Sequence, residues 1–264
     1  MVSTSVAVGR ALILTALVAL LVVVPVAASM AQDAEPATTG ESDAVTSVEV
    51  LPLRGGFIDP PVVAQIEEVI GLAEEEGSDL VVLQYTSTGG VSADLDALLR
   101  TVEARPVPVA ALIGPLGTGA EAVGAAGLLW LAADVRAISA DASVGPLDPA
   151  DLTDAEGSYP VRTRTEAFVT AAGADPAIVD RLLTEAVPAD DLVAAGLVTL
   201  TAQGIEPLLV DLDGVTVGDT ELTLRPDEVE VRFHSLGLVR RLLHAATTGP
   251  FIYLLLVVGL GMLL

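Results

Sequence analysis

The stretch GTGAEAVGAAG, residues 117–127, is built almost entirely of glycine and alanine, with Glu121 as its one charged residue. It lies between two apolar runs, PVPVAALIG at 106–114 and LLWLAA at 128–133. The first run is typical of a buried strand and the second of a helix, so the small residues mark a strand-to-helix connection. Glycine inside a helix costs about 1 kcal/mol relative to alanine. Gly124 therefore indicates a close backbone approach at this connection, or a site that has lost its side chain.

Strand-like and helix-like segments alternate on both sides of this connection. The run LVVLQY at 80–85 is typical of a parallel strand buried on both faces. PPVVAQIEEVIGLAEEEG at 60–77 has a helical apolar stripe, with proline at its start and glycine past its end. The alternation predicts an α/β domain over 48–212 with a mostly parallel sheet. Short alternating segments joined by Gly-Asp turns predict a small β appendage over 213–233.

The two ends of the chain have a different character from the middle. Residues 1–31 combine a positive flank, a long apolar run and a small-residue cleavage site, which predicts a signal peptide, with an uncleaved anchor as the alternative. Residues 32–47 are polar and small, and predict a linker. Residues 249–264 are apolar to the last residue, and predict a transmembrane helix that opens a longer membrane region past Leu264. We therefore expect a cell-membrane protein whose main domain is extracytoplasmic.

The composition excludes several function classes. The net charge is −24, which repels nucleic-acid phosphates, so we expect no nucleic-acid binding. The chain has no cysteine, and all its basic side chains apart from two histidines are arginines. A lysine general base is therefore absent from the sequence. Nothing in the residue pattern indicates a cofactor.

Two strand ends could carry chemistry, because sites in parallel α/β sheets form at the carboxyl ends of the strands. Gly89 and Gly90 follow a buried strand and precede a helix, where their backbone N–H groups could bind an oxyanion. An ordinary tight turn is the alternative interpretation. The second strand end is the 117–127 stretch itself.

These strand ends carry a resemblance to a known family. TSTGG at 86–90, RPVPVAALIGPLGTGAEAVGAAG at 105–127 and LAADVRAISADASVGPLDP at 131–149 resemble, in that order, the ClpP-class membrane serine proteases of the NfeD family. These are the stomatin operon partner proteins, and the resemblance runs over about 48–264. It implies a ClpP/crotonase-like fold, assembly into a homo-oligomer, and a stomatin-like membrane protein as partner.

The resemblance also implies a serine nucleophile, a lysine base and an oxyanion loop, and here the sequence departs from the family. Gly124 stands where the family has its serine, and Thr88 where it has a proline. The region of the base offers only Arg162 and Arg164, and arginine stays protonated in proteins. The positions that match the oxyanion-like loop are Gly89, Gly90, Gly119 and Ala125. The resemblance thus implies a peptidase scaffold without an intact catalytic pair.

Other residues could in principle rebuild a site. The hydroxyls near the strand ends are those of Ser87, Ser92, Ser139 and Ser143. They would need a base, and the two histidines, His234 and His244, follow the β appendage, where solvated or interfacial roles are expected. Glu121 is a candidate base, although an electrostatic role at the helix start is the favoured interpretation.

Carboxylate spacing suggests a calcium hypothesis, which we do not favour. The two acidic clusters do not match the EF-hand loop, and solvated loops are the default in so acidic a chain. We therefore expect no metal site. The clusters consist of Asp148, Asp151 and Asp154, and of Asp211, Asp213 and Asp219.

The leading hypothesis is a membrane-anchored protease homologue that lacks peptidase activity. It would bind apolar peptides or a stomatin-like membrane protein, with an extended peptide paired in a groove between 89–90 and 119–127. One alternative is an active serine endopeptidase that uses Ser87 or Ser143. Another is a crotonase-like enzyme acting on acyl thioesters, which the export signal disfavours.

Overall fold

The computed structural model describes residues 46–54, 56–115, 119–153, 159–217, 220–224, 229–235 and 237. The predicted signal peptide, nearly all of the linker and the predicted transmembrane helix lie outside these residues. Over the described ranges, no helix is both long enough and apolar enough to cross a membrane.

A parallel sheet of six strands forms the centre of the molecule, in the order β11-β1-β2-β3-β5-β8. A second sheet, β4-β6-β7, and a hairpin, β9-β10, complete the described strands. The strands are β1 Thr46–Arg54, β2 Leu80–Thr86, β3 Val109–Ile113, β4 Glu121–Ala122, β5 Val135–Ile138, β6 Ser143–Val144, β7 Val187–Pro188, β8 Leu200–Thr201, β9 Thr216–Val217, β10 Thr220–Glu221 and β11 Val229–Phe233.

Helices cover both faces of the large sheet. Alternate residues of a strand point to opposite faces, and in β2 Val81 and Leu83 join one apolar cluster while Leu80 and Val82 join the other. The first cluster packs against α1 to α6 and the second against α7. The helices are α1 Pro60–Glu76, α2 Leu95–Glu103, α3 Ala125–Ala132, α4 Val161–Ala171, α5 Ile178–Thr184, α6 Ala189–Ala194 and α7 Ile205–Leu212.

Helix α1 begins and ends where its sequence signals place it. The Asp59 side chain accepts a hydrogen bond from the Val62 N–H at 3.1 Å, and Pro60 occupies the first turn, where its missing N–H costs nothing. Gly77 ends the helix with φ 70°, a conformation that glycine adopts without strain. The predicted stripe, which includes Val62, Ile66 and Ala73, is buried.

Three segments differ from the sequence-based expectations. Strand β1 begins at Thr46 and so includes the last two residues of the predicted linker. Residues 121–122 of the expected strand-to-helix connection form a short strand, β4, and the φ of 55° at Gly124 keeps the helix from starting before Ala125. Within the predicted appendage, the β9-β10 hairpin forms a sheet of its own, whereas β11 pairs in parallel with β1 at the edge of the large sheet.

Candidate functional site

The loop after β2 turns sharply at Gly89 and Gly90. Gly89 has φ 139°, a value that side chains other than glycine rarely adopt. Its carbonyl accepts a hydrogen bond from the Ile58 N–H at 2.9 Å, and the Val91 N–H donates to the Ile58 carbonyl at 3.0 Å. These bonds fix the turn at the carboxyl end of the sheet, where the sequence places the oxyanion-like loop.

The start of α3 lies at the same end of the sheet. Gly124 precedes the helix with φ 55° and ψ −122°, a sharp strand-to-helix turn of the kind on which hydrolases place a nucleophile. Its N–H donates to the Pro146 carbonyl at 2.9 Å, and the N–H of Ala125 donates to the Ala150 carbonyl at 2.8 Å. The first amide of the helix is therefore already bonded to another part of the same chain.

That other part is residues 147–153, a segment of bends and a turn with a single bridge residue at Asp151, which we call the strap. Asp151 of the strap pairs with Gly90 in a parallel bridge, and the Leu152 N–H donates to the Gly90 carbonyl at 2.9 Å. The Ala150 carbonyl lies beside both glycines: a Cβ built on Gly90 would be 2.8 Å from its oxygen, and one on Gly124 would be 2.7 Å from it. The groove expected between 89–90 and 119–127 is thus filled by the chain itself, because both walls pair with the strap.

Asp151 anchors the strap through its carboxylate. It accepts hydrogen bonds from the backbone N–H groups of Ser92 (3.1 Å), Ala93 (2.8 Å) and Thr153 (2.7 Å), and from the Thr153 hydroxyl at 2.6 Å. Burial by itself raises the pKa of Asp151, but the hydrogen bonds from Thr153, Ala93 and Ser92 outweigh burial and hold the pKa below its usual value. The side chain is therefore ionised at neutral pH.

This packing explains why positions 124 and 127 are glycine. A Cβ on Gly127 would lie 2.2 Å from the Leu147 side chain, and Gly124 contacts the backbone of 149–150. A Cβ on Gly90 would lie 2.8 Å from the Cβ of Ala125. Gly119 differs from them, because it is exposed and a Cβ there would meet no atom within 4 Å. The structure therefore brings Gly89, Gly90 and Ala125 to one site with the strap and leaves Gly119 at its margin.

The serines near the strand ends have different surroundings. The Ser87 hydroxyl is buried and lies within hydrogen-bond distance of the carbonyls of Gly56 (3.0 Å) and Gly89 (3.2 Å). A backbone carbonyl can accept its hydrogen bond but is not a base that removes its proton. Ser92 contacts Thr153 of the strap at 3.3 Å between their hydroxyl oxygens. Ser139 is fully buried, and its hydroxyl has no hydrogen-bond partner in the described part of the chain.

The two arginines in the region of the expected base form ion pairs on the surface. Arg162 contacts Asp180 at 2.8 Å, and this hydrogen bond is the largest cause of a raised pKa at Arg162. Arg164 reaches Glu103 at 3.5 Å, and its pKa is raised chiefly by a hydrogen bond with Tyr159. Both shifts hold the guanidinium groups more firmly in the protonated state. Neither arginine can therefore remove a proton from a hydroxyl.

His234 lies away from the helix start, whereas Glu121 lies beside Ser87. His234 contacts the buried Glu49 of β1 at 2.5 Å. Glu49 is level with Val81 near the start of β2, which puts it about 20 Å from Ser87 at the usual rise of 3.3 Å per residue. Glu121 lies on β4, where its backbone carbonyl accepts the Ser87 N–H at 2.7 Å. His244 lies outside the described residues.

Two carboxylates of the acidic clusters accept hydrogen bonds from backbone N–H groups. Asp151 accepts a hydrogen bond from the Ala93 N–H at 2.8 Å, and Asp213 accepts one from the Leu224 N–H at 2.8 Å. Among the described residues, no group of three or more histidine, aspartate or glutamate side chains is placed to hold a metal ion. Asp154 and Asp219, one from each cluster, lie outside those residues.

An open cavity of about 550 Å³ adjoins the strap, lined by residues 92–96, 151, 153, 159 and 160. Its wall is acidic, but its carboxylates are used locally. Asp94 caps α2 by accepting the Ala97 N–H at 3.0 Å, and Asp151 holds the strap. The cavity therefore borders the anchored side of the strap.

Comparisons with solved structures identify the fold. The 1510-N membrane-bound stomatin-specific protease, as a lysine-to-alanine variant in complex with a substrate peptide, matches with a TM-score of 0.66 and 20% sequence identity, over 77% of this chain and 99% of that one. The chain has the fold of this protease. The 1510-N protease from Pyrococcus horikoshii matches at a TM-score of 0.64 and 19% identity, over 77% and 99% of the two chains. A serine-to-alanine variant matches at 0.62 and 20%, over 74% and 100%.

The expected α/β fold with a mostly parallel sheet is confirmed by this likeness. The resemblance to the membrane serine proteases holds at the level of the fold. No model of a protein family matches the sequence, and neither does any curated protein.

Proposed function

We propose that the chain is a membrane-anchored, extracytoplasmic homologue of serine proteases that does not hydrolyse peptides. We further propose that it works by binding a stomatin-like membrane protein, as a homo-oligomer. The observation that carries the first part is Gly124, which occupies the turn before α3 without a hydroxyl and without space for a side chain.

The surroundings of Gly124 support the loss of hydrolysis. A serine hydroxyl attacks a carbonyl only when a base accepts its proton, and the sequence contains no lysine. The arginines of the base region are protonated and paired. An oxyanion site also needs free N–H donors, and that of Ala125 is bonded to the Ala150 carbonyl. These three observations support the proposal that the helix start does not carry out hydrolysis.

The partner is proposed from the fold relatives. The neighbouring structures are described as proteases specific for stomatin, one of them specific for a stomatin homologue, and one holds a substrate peptide. A scaffold of this fold without hydrolysis can still bind the same class of protein. The expected transmembrane helix at 249–264 would place the domain beside a membrane partner.

A cleavage assay tests the first part of the proposal. The full chain in detergent is incubated with a pool of apolar peptides and with a purified stomatin-like protein, and the products are analysed by mass spectrometry. We expect no specific cleavage. Ser87→Ala and Ser143→Ala serve as companion variants, because saturable cleavage that one of them abolishes would establish an active endopeptidase and refute the proposal.

Photo-crosslinking in membranes tests the second part. A photoreactive amino acid replaces Phe233, which is 65% exposed at the end of β11, just before the segment that leads to the expected membrane helix. The matched control replaces Val193, which is 48% exposed on α6. We expect crosslinks to a stomatin-like protein from position 233. The absence of such crosslinks from both positions would contradict this partner.

A further inference from the structure

The strap occupies the site in the manner of a bound peptide. Its Leu152 N–H donates to the Gly90 carbonyl at 2.9 Å, its Ala150 carbonyl accepts the Ala125 N–H at 2.8 Å, and Asp151 pairs with Gly90 in a parallel bridge. These are backbone bonds on two sides of one segment, the pattern by which a peptide is held between a loop and a helix start. They involve the loop at 89–90 and the helix start at 124–125, between which the sequence analysis expects a peptide groove.

Side-chain contacts hold the strap at its far end. The Asp151 carboxylate receives four hydrogen bonds, from Ser92, from Ala93 and twice from Thr153. A buried carboxylate that satisfies neighbouring N–H groups stabilises the segment that carries it, and removing it leaves those donors without a partner. Leu152, by contrast, is 56% exposed, so the strap is not fixed by burial of its own apolar side chain there.

We propose that the strap is an internal occupant of the peptide site, anchored by Asp151, and that the groove accepts a peptide from outside only when the strap is displaced. A tethered segment competes at a high effective concentration, so a free peptide binds poorly until the anchor is weakened. This inference rests on the proposed function only in taking a peptide as the ligand. Its consequence is that contact with a partner is controlled by the state of residues 147–153.

The probe for the test is a fluorescein-labelled synthetic peptide of the strap sequence, LDPADLT, and its binding to the full chain in detergent is followed by fluorescence anisotropy. Asp151→Ala removes the anchor. Asp148→Ala is the matched control, because it removes a carboxylate from an exposed position of the same strap. We expect Asp151→Ala to bind the peptide roughly tenfold or more tightly than the unmodified chain and Asp148→Ala do.

A reversible lock gives a second, independent measurement. The hydroxyl oxygens of Ser92 and Thr153 are 3.3 Å apart, so the double variant Ser92→Cys/Thr153→Cys places two thiols across the contact between the strap and the loop. The chain has no other cysteine, which makes the crosslink specific. The reduced form lacks the Thr153 bond to Asp151 and should bind the peptide, and oxidation should abolish that binding in the same sample.

The outcomes separate this inference from the proposed function. Equal affinity of the unmodified chain and of Asp151→Ala for the peptide would overturn the inference, because the strap would then not compete with the peptide. Absence of binding to both Asp151→Ala and the reduced double variant, each shown to be folded by thermal unfolding, would overturn it as well. If Asp151→Ala does not fold, the inference is tested by comparing peptide binding between the reduced and the oxidised form of the double variant. Cleavage of the probe would refute the proposed function, but the inference that the strap occupies the peptide site would still hold.

Discussion

Gly124 combines two constraints that both favour glycine. Its φ of 55° with ψ −122° is a strained conformation for other residues, and a Cβ would lie 2.7 Å from the Ala150 oxygen and 2.9 Å from that of Pro149. We therefore expect Gly124→Ala to lower the free energy of unfolding by about 1–3 kcal/mol. Chemical denaturation of the two proteins measures the difference.

Gly71 provides the control for this prediction. It lies inside α1, and a Cβ there would meet no atom within 4 Å. Alanine is favoured over glycine inside helices by about 1 kcal/mol, so Gly71→Ala should leave stability unchanged or raise it. Equal destabilisation by both variants would show that the loss at Gly124 is not caused by its local geometry.

Asp151 should make the stability of the strap depend on pH. Because the pKa of Asp151 is lower in the folded chain, its contribution to stability is present above the pKa of an unfolded aspartate, about 3.9, and is lost as the pH falls through the lower folded value. We expect Asp151→Ala to cost about 1–3 kcal/mol at neutral pH. Denaturation curves at several pH values should show this cost shrinking below about pH 4. A constant cost at all pH values would contradict the assignment.

At the scale of elements, the edge strand β11 is joined to β1 by a buried carboxylate. Glu49 is 1% exposed and contacts Ser78 (2.9 Å), Arg232 (3.3 Å) and His234 (2.5 Å). We expect Glu49→Ala to lower the free energy of unfolding by about 1–3 kcal/mol, because Ser78 and His234 lose this partner and Arg232 keeps only its exposed ones. Hydrogen exchange should rise in β11 in particular.

The exposed Glu230 is the matched control, because its carboxylate lies on the surface and contacts the same Arg232 at a distance of 3.0 Å. Exposed ion pairs contribute about 0–1 kcal/mol. Glu230→Ala should therefore leave stability and exchange close to those of the unmodified chain. A comparable loss in both variants would indicate that Arg232, and not the buried Glu49, joins the strands.

The sequence predicts the main elements because each carries its own local signal. The run at 80–85 became β2, and the stripe from Val62 to Ala73 became α1. Short strands lack such a signal. Glu121–Ala122 is a strand only because β6 and the Ser87 edge pair with it, and β11 joins the large sheet through partners far away in sequence. Pairing of this kind is a tertiary effect that periodicity does not contain.

The candidate site was predicted in part for the same reason. The glycines at 89, 90 and 124 mark their loops in the sequence, since each needs an unusual backbone angle or a close neighbour. The strap that comes close to them has no periodic pattern, and Asp151 looks like one more carboxylate in an acidic chain. Its role depends on N–H groups of Ser92 and Ala93, almost sixty residues earlier.

At the scale of the whole described domain, one sheet separates two apolar clusters that share its strands. Because β2 contributes side chains to both, neither cluster can lose its packing alone, and we expect a single cooperative unfolding transition. Trp130 is the sole tryptophan, fully buried, with its indole N–H donating to the Ala137 carbonyl at 2.9 Å. Its fluorescence and the far-UV circular dichroism should change at the same denaturant concentration. Separate midpoints would contradict this coupling.

The contact of the strap with Gly124 has an evolutionary consequence. A mutation that supplied a hydroxyl at position 124 would meet the backbone of 149–150 and lower stability before any base or free N–H donor was in place. Proteins persist only above a stability threshold, so such intermediates are removed by selection. A single substitution to serine at position 124 is therefore expected to be selected against for as long as the strap keeps its present fit.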